Sequence, residues 1–502
     1  MKHFKRTLIM TTLLALCTGC TTSKTLPDEP YEAVPYNIFP IPEDAYAGDT
    51  MPFVSDDNTL ELYYLYDTDH NGQAYHPVYK YSTSNLYEYK DHGEVLPFGL
   101  MSDPDPAIGT GSVMQDKDGL YHLFYTGHND LGNGGLGKEC IMHATSTDRE
   151  NWEKHPEDTF FAPENYSKDD FRDPEVFWME EDNCYWMLVA ARDNVRGGIV
   201  ARYTSDDLKN WTLQDPLYSP MEQYMLECPD LFKMGDTWYL TYSWDCVTYY
   251  AMSDSYNGPF KAPSDNVLDG NGFIFYAAKT AEMNGHTYLC GWLGRAGLTE
   301  DSGIYQWAGN ILNHELVQRD DKTLGVKALD TLKEYFTNEV PFRAVKRSGE
   351  VTIKEKDKSI TLSSKDDNYA LADMGTRKAT MTLECDVTFD EEGLVGFAFG
   401  GQEESETYYA LCLDARTNQL HYEGLEIEET RTWDPVAYTK FDFSKNDTHH
   451  VKLVCENEIV VLYIDDTKAF SSRIKNSTNG AHIGVFADGC NATFENITIL
   501  VP

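Results

Sequence analysis

Five short segments of one kind recur along this chain: DDNTLELYYLYD (56–67), KDGLYHLFYTG (117–127), EDNCYWMLVAA (181–191), GDTWYLTYSWD (235–245) and NGHTYLCGWLG (284–294). Each is a polar turn that runs into an aromatic or aliphatic strand. A second element lies between them: STSNLYEY (82–89), STDRENWEK (146–154), SDDLKNWTL (205–213) and SDSYNGPFK (253–261). There a Ser, then an Asp or Asn, then an aromatic closes an outer strand. Sheets of this size cannot bury both faces alone, but five set radially bury them against one another. Residues 36–330 therefore predict a five-bladed β-propeller. One large sandwich would explain the strands but not the two interleaved repeats. Trp152 and Trp211 hold a fixed place in the second repeat and are read as core between blades.

KALDTLKEYFT (327–337) reads as a short amphipathic helix and a natural boundary. Beyond residue 340 the style changes. SITLSS (359–364), TMTLECDVTF (380–389), HVKLVC (450–455) and IVVLYID (459–465) alternate strictly, which predicts a two-sheet β-sandwich over 340–502. The sandwich carries no aromatic cluster that forces glycan binding, and its expected role is to cover the propeller. A chain of 502 residues fits two domains.

The balance of 41 basic against 82 acidic residues, a net charge of −41, argues against nucleic acid or anionic lipid as a partner. A neutral substrate needs no charge steering. The start, MKHFKRTLIMTTLLALCTGC, has a basic head and a short apolar run, the pattern of an export signal. Its end resembles a bacterial lipobox, with Cys20 as the lipid-bearing residue; a plain secretory signal is the alternative. Residues 21–35 then read as a polar tether. The nine remaining cysteines include no C-x-x-C pair, so neither a disulfide framework nor a zinc site is expected.

In a propeller, inner-strand residues surround a central axis. Three acids interrupt such strand starts: Asp49 in AGDTMPFV, Asp173 in FRDPEVFW and Glu227 in MLECPDLF. Pro174 is expected to push Asp173 towards extended backbone. Each acid alone has an ordinary reading as a turn cap or ion pair. Three at the openings of separate blades point to a site. Such a trio suits glycosidic chemistry, in which one carboxylate attacks and another, kept protonated by its neighbours, donates to the leaving oxygen. Arg172 would grip sugar hydroxyls. A metal is the competing use of clustered acids, but no His stands near these motifs, and no metal or cofactor is expected.

FRDPEVFW, MLECPDLF and the five-unit layout resemble glycoside hydrolase family 32, the invertases, inulinases and levanases. TGSVMQDKDGLYHLFYTG (110–127), Tyr276-Ala277-Ala278, Gly291-Trp292 and HIGVFADGC (482–490) resemble further family segments. The resemblance implies Asp49 as nucleophile, Asp173 as transition-state stabiliser and Glu227 as general acid/base. It implies Thr110, Arg172 and Trp292 as sugar contacts, and a retaining reaction on β-fructofuranosides. The chain departs from the family at its first motif, where Gly48-Asp49-Thr50-Met51-Pro52 keeps the Asp but not the Trp or either Asn. Leu65 replaces the usual Gln, and the family's Pro-Arg is absent from NILNHELV (310–317). Another sugar, such as an arabinofuranoside or anhydro sugar, and an inactive glycan-binding surface protein stay open as alternatives.

Overall fold

The computed structural model describes residues 26, 31–68, 75–221, 223–296, 305–364, 369–390, 392–400, 407–426, 437–445, 447–474 and 482–502. Cys20 and the export segment lie outside these residues.

Five antiparallel units follow in chain order. Their inner strands are Tyr46–Val54, Ala107–Gln115, Tyr166–Met179, Glu227–Met234 and Tyr276–Met283. Each inner strand touches the next, and the fifth touches the first, so the units close into a five-bladed propeller. Closure also runs through the backbone. Ala47 pairs with Gly309 in the third strand of blade five, which joins blades one and five into a single sheet.

The second repeat is a turn that ends the third strand of blades one to four. The Ser146 hydroxyl accepts the N–H groups of Asp148 and Arg149, and the Asp148 carboxylate accepts those of Glu150 and Asn151. Arg149 takes a left-handed conformation, φ 66°. Ser205-Asp207-Leu208 and Thr83-Asn85-Leu86 repeat the arrangement. Asp, Asn and Ser suit it because their side chains cap local backbone donors. The aromatic that follows packs on the preceding blade. Trp152 meets Tyr63 edge-on at 5.9 Å, and Trp211 meets Phe124 at 5.8 Å.

The helix expected over 327–337 is only Leu332–Tyr335. Lys327 instead ends a strand paired with Glu315, and Asn338–Glu339 already pair with Leu500 and Val501. Strand pairing on both sides leaves room for one turn. The sandwich follows as two sheets of eight and seven strands. All nine described cysteines are free, seven of them buried.

Propeller and sandwich share one hydrophobic cluster, which runs from blades one and five into the sandwich. Polar groups key the joint. Arg473 of the sandwich donates to the carbonyls of Gly294 and Leu293 and to the amide oxygen of Asn310. His314 of blade five bridges Tyr463 and Asp269 at 2.9 and 3.0 Å. Residues 31–35, read as the end of a tether, are docked rather than free. Asn457 binds both backbone groups of Val34, and Tyr31 lies 5.3 Å from the Arg377 guanidinium. The Glu456 carboxylate then accepts the N–H groups of Asn37, Ile38 and Phe39, just ahead of the first inner strand.

Candidate active site

Every inner strand slips register at one corresponding place, and blade three slips once more, between Tyr166 and Phe171. The breaks fall between Gly48 and Met51, Gly109 and Gly111, Arg172 and Glu175, Glu227 and Asp230, and Tyr276 and Lys279. Each is a β-bulge, a device that re-aims side chains and is common beside active sites. The first bulged residue is left-handed in four blades: Asp49 (φ 29°), Asp173 (58°), Cys228 (50°) and Ala277 (53°). Asp173 is therefore not extended as its proline predicts. Its N–H bonds the Thr126 hydroxyl at 2.8 Å, and its carboxylate accepts the Cys228 N–H at 3.0 Å. These bonds to blades two and four outweigh the local preference, at the cost of backbone strain of the kind functional sites hold.

The bulges stack side chains in rows around the axis. Arg172, Glu227 and Tyr276 occupy one register position in three blades; Asp49 and Asp173 occupy the next. Together they line a funnel of about 430 Å³. All three predicted acids reach it, as do Thr110 and Arg172. Arg172 donates to both oxygens of Glu139 at 3.0 Å and to Glu227 at 2.8 Å. The Tyr276 hydroxyl donates to the other oxygen of Glu227. The buried Thr110 hydroxyl donates to the Asp49 carbonyl at 3.1 Å.

Trp292 is a correction to the sequence reading. It is 0 % exposed, so a sugar in the funnel cannot touch it. Its indole N–H donates to the Asp49 carboxylate at 2.9 Å, making it a positioning residue. Two other indoles, Trp307 and Trp244, do line the funnel. A Cβ on Gly48 would lie 2.5 Å from the Trp307 ring, so the first motif needs glycine there.

Burial pushes the Asp49 carboxyl up to about 6, partly offset by the Trp292 N–H. Burial and the charges of Glu227 and Asp49 push Asp173 up to about 7, against the pull of Arg172 and the Cys228 N–H. Burial first, and neighbouring acid charge second, thus raise both Asp49 and Asp173. Glu227 is held by two donors, Arg172 and Tyr276.

Beneath the acids a buried ion pair fills the axis. Lys279 of blade five bonds Glu175 of blade three at 2.9 Å and the Gly111 carbonyl of blade two at 2.5 Å. Sequence reasoning missed this pair, and also Glu139 and Tyr276 as partners of Arg172 and Glu227. Among the described residues, His286, Glu315 and Asp330 come close enough to share a cation, but Lys327 already sits 3.1 Å from Glu315 and 2.5 Å from Asp330.

Residues 41–324, most of the propeller, match the profile described as "Glycosyl hydrolases family 32 N-terminal domain". A levanbiose-producing levanase of Bacillus subtilis (strain 168) is 24% identical over 95% of this chain and 92% of its own length. A sucrose-6-phosphate hydrolase of Staphylococcus xylosus is 25% identical over 52% of this chain and 55% of its own. Among solved structures, a β-fructofuranosidase of Bombyx mori superposes with a TM-score of 0.68 at 20% identity, covering 94% of both chains.

Proposed function

Because the chain belongs to glycosyl hydrolase family 32, and is thus a glycoside hydrolase, we propose that it hydrolyses β-fructofuranosides such as sucrose, inulin or levan through a covalent intermediate. The observation that carries this reading is the convergence of Asp49, Asp173 and Glu227, from blades one, three and four, in one funnel. In this reading Asp49 attacks the anomeric carbon. Its indole partner orients it, and above about pH 6 it is ionised. Glu227 gives a proton to the leaving oxygen and later takes one from water. Asp173, held by the Cys228 N–H, faces the positive charge that builds on the sugar ring. Loading Glu227 with a proton requires loosening its bond to Arg172, and the incoming sugar hydroxyls compete for that guanidinium.

Among the described residues of the funnel, the one arginine is already bonded to Glu139 and Glu227, while Asp49, Asp173 and Asp245 add negative charge. That balance supports an uncharged fructoside over a phosphorylated one. The basic head and apolar run of residues 1–20 support export, with a lipid on Cys20 holding the enzyme at the bacterial membrane. Fractionation of cells expressing the wild type and Cys20→Ser tests the anchor, which requires the variant to leave the membrane.

The purified protein should release fructose from at least one of sucrose, inulin and levan, and do so poorly from sucrose 6-phosphate. Release of arabinose from aryl arabinofuranosides with no fructose from any fructoside would overturn the reading.

A further inference from the structure

Five cations are buried among the described residues: Lys80, Lys279, Arg377, Lys468 and Arg473. Four of them bond a carboxylate at 2.7–2.9 Å: Lys80 with Glu150, Lys279 with Glu175, Lys468 with Asp265 and Arg473 with Glu458. Arg377, only 1 % exposed, pairs with none among the described residues. Its Nε and Nη1 have no acceptor, and Nη2 reaches only the Tyr31 hydroxyl, at 3.4 Å. The Cys455 thiol beside it is pushed up to about 11 by burial, so it brings no charge. A buried cation without an anion opposes folding, and the other four show how this chain meets that cost.

Arg377 does not stand in closed core. It lines a cavity of about 830 Å³, nearly twice the funnel, between the docked segment 31–35 and residues 376–380 of the sandwich. Lys378 and Thr380 line it as well, and the buried Thr380 hydroxyl also lacks a partner. Among the described lining residues Glu32 is the one acidic side chain, and it is exposed. The cavity thus sets two cations and a hydroxyl around donors that bond nothing. A guanidinium only donates, and its planar fork fits the oxygens of a carboxylate or a phosphate. The Tyr31 ring stands over the guanidinium at 5.3 Å and is half-buried, so its swing admits an oxygen to Nε and Nη1.

We propose that this cavity is an oxyanion site, in which Arg377, Lys378 and Thr380 hold a small solute bearing a phosphate or a carboxylate. Dissolved anions fit it better than lipid headgroups. The net charge of −41 repels an anionic bilayer as a whole, whereas a single small anion meets the two cations at contact range, where distant acids are screened. The bound oxygens lie between segment 31–35 and the sandwich, so binding fastens the segment that leads into the Glu456 contacts. An anion that binds only the folded chain raises its stability with concentration. The site is separate from the funnel and does not depend on the reaction assigned there.

The test is thermal unfolding of the full chain at fixed pH and ionic strength, with sodium phosphate or sodium acetate replacing chloride. The wild type should gain stability along a saturating curve with at least one of the two; at about ten times the Kd its folding constant rises about elevenfold. Arg377→Met should lose the saturable gain and keep only the gradual rise that an excluded salt gives any protein. Thr380→Val is nearly isosteric and removes one donor, so it should weaken the anion about tenfold, and it carries the test if Arg377→Met does not fold. A saturable gain equal in the wild type and the variants places the anion elsewhere and overturns the site. So does a wild type with no saturable gain in either salt. Flotation with phosphatidylglycerol vesicles separates the sources: binding to vesicles that depends on Arg377, with none to free phosphate or acetate, overturns the dissolved-anion reading.

Discussion

Replacing Asp173 by Asn separates what this carboxylate does for the reaction from what it costs the fold. Asn is isosteric, and it is one of the few residues that accept the left-handed backbone at φ 58°. Its side-chain oxygen can still accept the Cys228 N–H. Arg172 keeps Glu139 and Glu227, so no orphan cation is left behind. What changes is the charge. The carboxyl is 5 % exposed, and its pKa rises from 3.8 to about 7. A folded-state value above the unfolded one means that ionisation opposes folding, and the penalty grows as pH climbs from 3.8 to 7. At pH 8 it amounts to at most about 4 kcal/mol, at about 1.4 kcal/mol per pH unit. Asp173→Asn should therefore melt several degrees above the wild type at pH 8. The gap should shrink below pH 7 and vanish near pH 4. At pH 8, where the wild-type carboxyl is ionised, kcat on sucrose should fall about a thousandfold, the several kcal/mol expected of a group facing charge in the transition state. Differential scanning fluorimetry at pH 4, 6 and 8, beside steady-state fructose release, measures both. A variant that melts below the wild type at pH 8 and keeps its turnover would refute this account and leave Arg172-Asp173 as a structural ion pair.

Glu227→Gln should slow sucrose far more than an aryl fructoside with a good leaving group, because only the former needs a proton; equal losses count against Glu227 as the acid. Trp292→Phe removes the N–H that lowers the Asp49 pKa, so the acid limb of kcat/KM, expected near pH 6, should move to higher pH. A limb that stays in place would mean Asp49 is not the group titrating there. Lys279→Met strands Glu175 in the axis and should cost about 3–5 kcal/mol in denaturant unfolding, while adding Glu175→Gln should recover much of it. No recovery in the double variant would show that Lys279 acts mainly through the Gly111 carbonyl.

The repeat was the part of the fold most plainly written in the sequence. Polar turns and aromatic strands recur at blade spacing, and Trp152 and Trp211 pack where their repeat position predicts. The three acids are legible because each breaks an apolar strand start. The bulges are not, because a register slip depends on neighbouring blades: Asp173 turns left-handed only where Thr126 and Cys228 meet it. Trp292 was misread because a tryptophan looks alike in sequence whether it faces a sugar or stands behind a carboxylate of the funnel. Lys279 had a signal that could have been used. A lone lysine in YAAKTAEM cannot be buried without a carboxylate, and RDPEV offers one. Glu139 had none beyond the need of Arg172 for partners. The boundary helix shrank because strand pairing on either side is long-range and leaves no local trace.

The hold of Glu456 on residues 37–39 bears on when this protein can become an enzyme. These bonds span 417 to 419 positions of the chain and stand directly before the strand that carries Asp49. Trp292, which aims Asp49, comes 243 positions after it. Contacts so distant in sequence close late, since the entropy of the intervening loop must be overcome first. A ribosome that has made only the propeller has made all three acids, but not the latch on the strand that carries Asp49. A chain cut short within the sandwich would therefore carry a complete set of acids in an unlatched ring, and is expected to hydrolyse less than the whole chain.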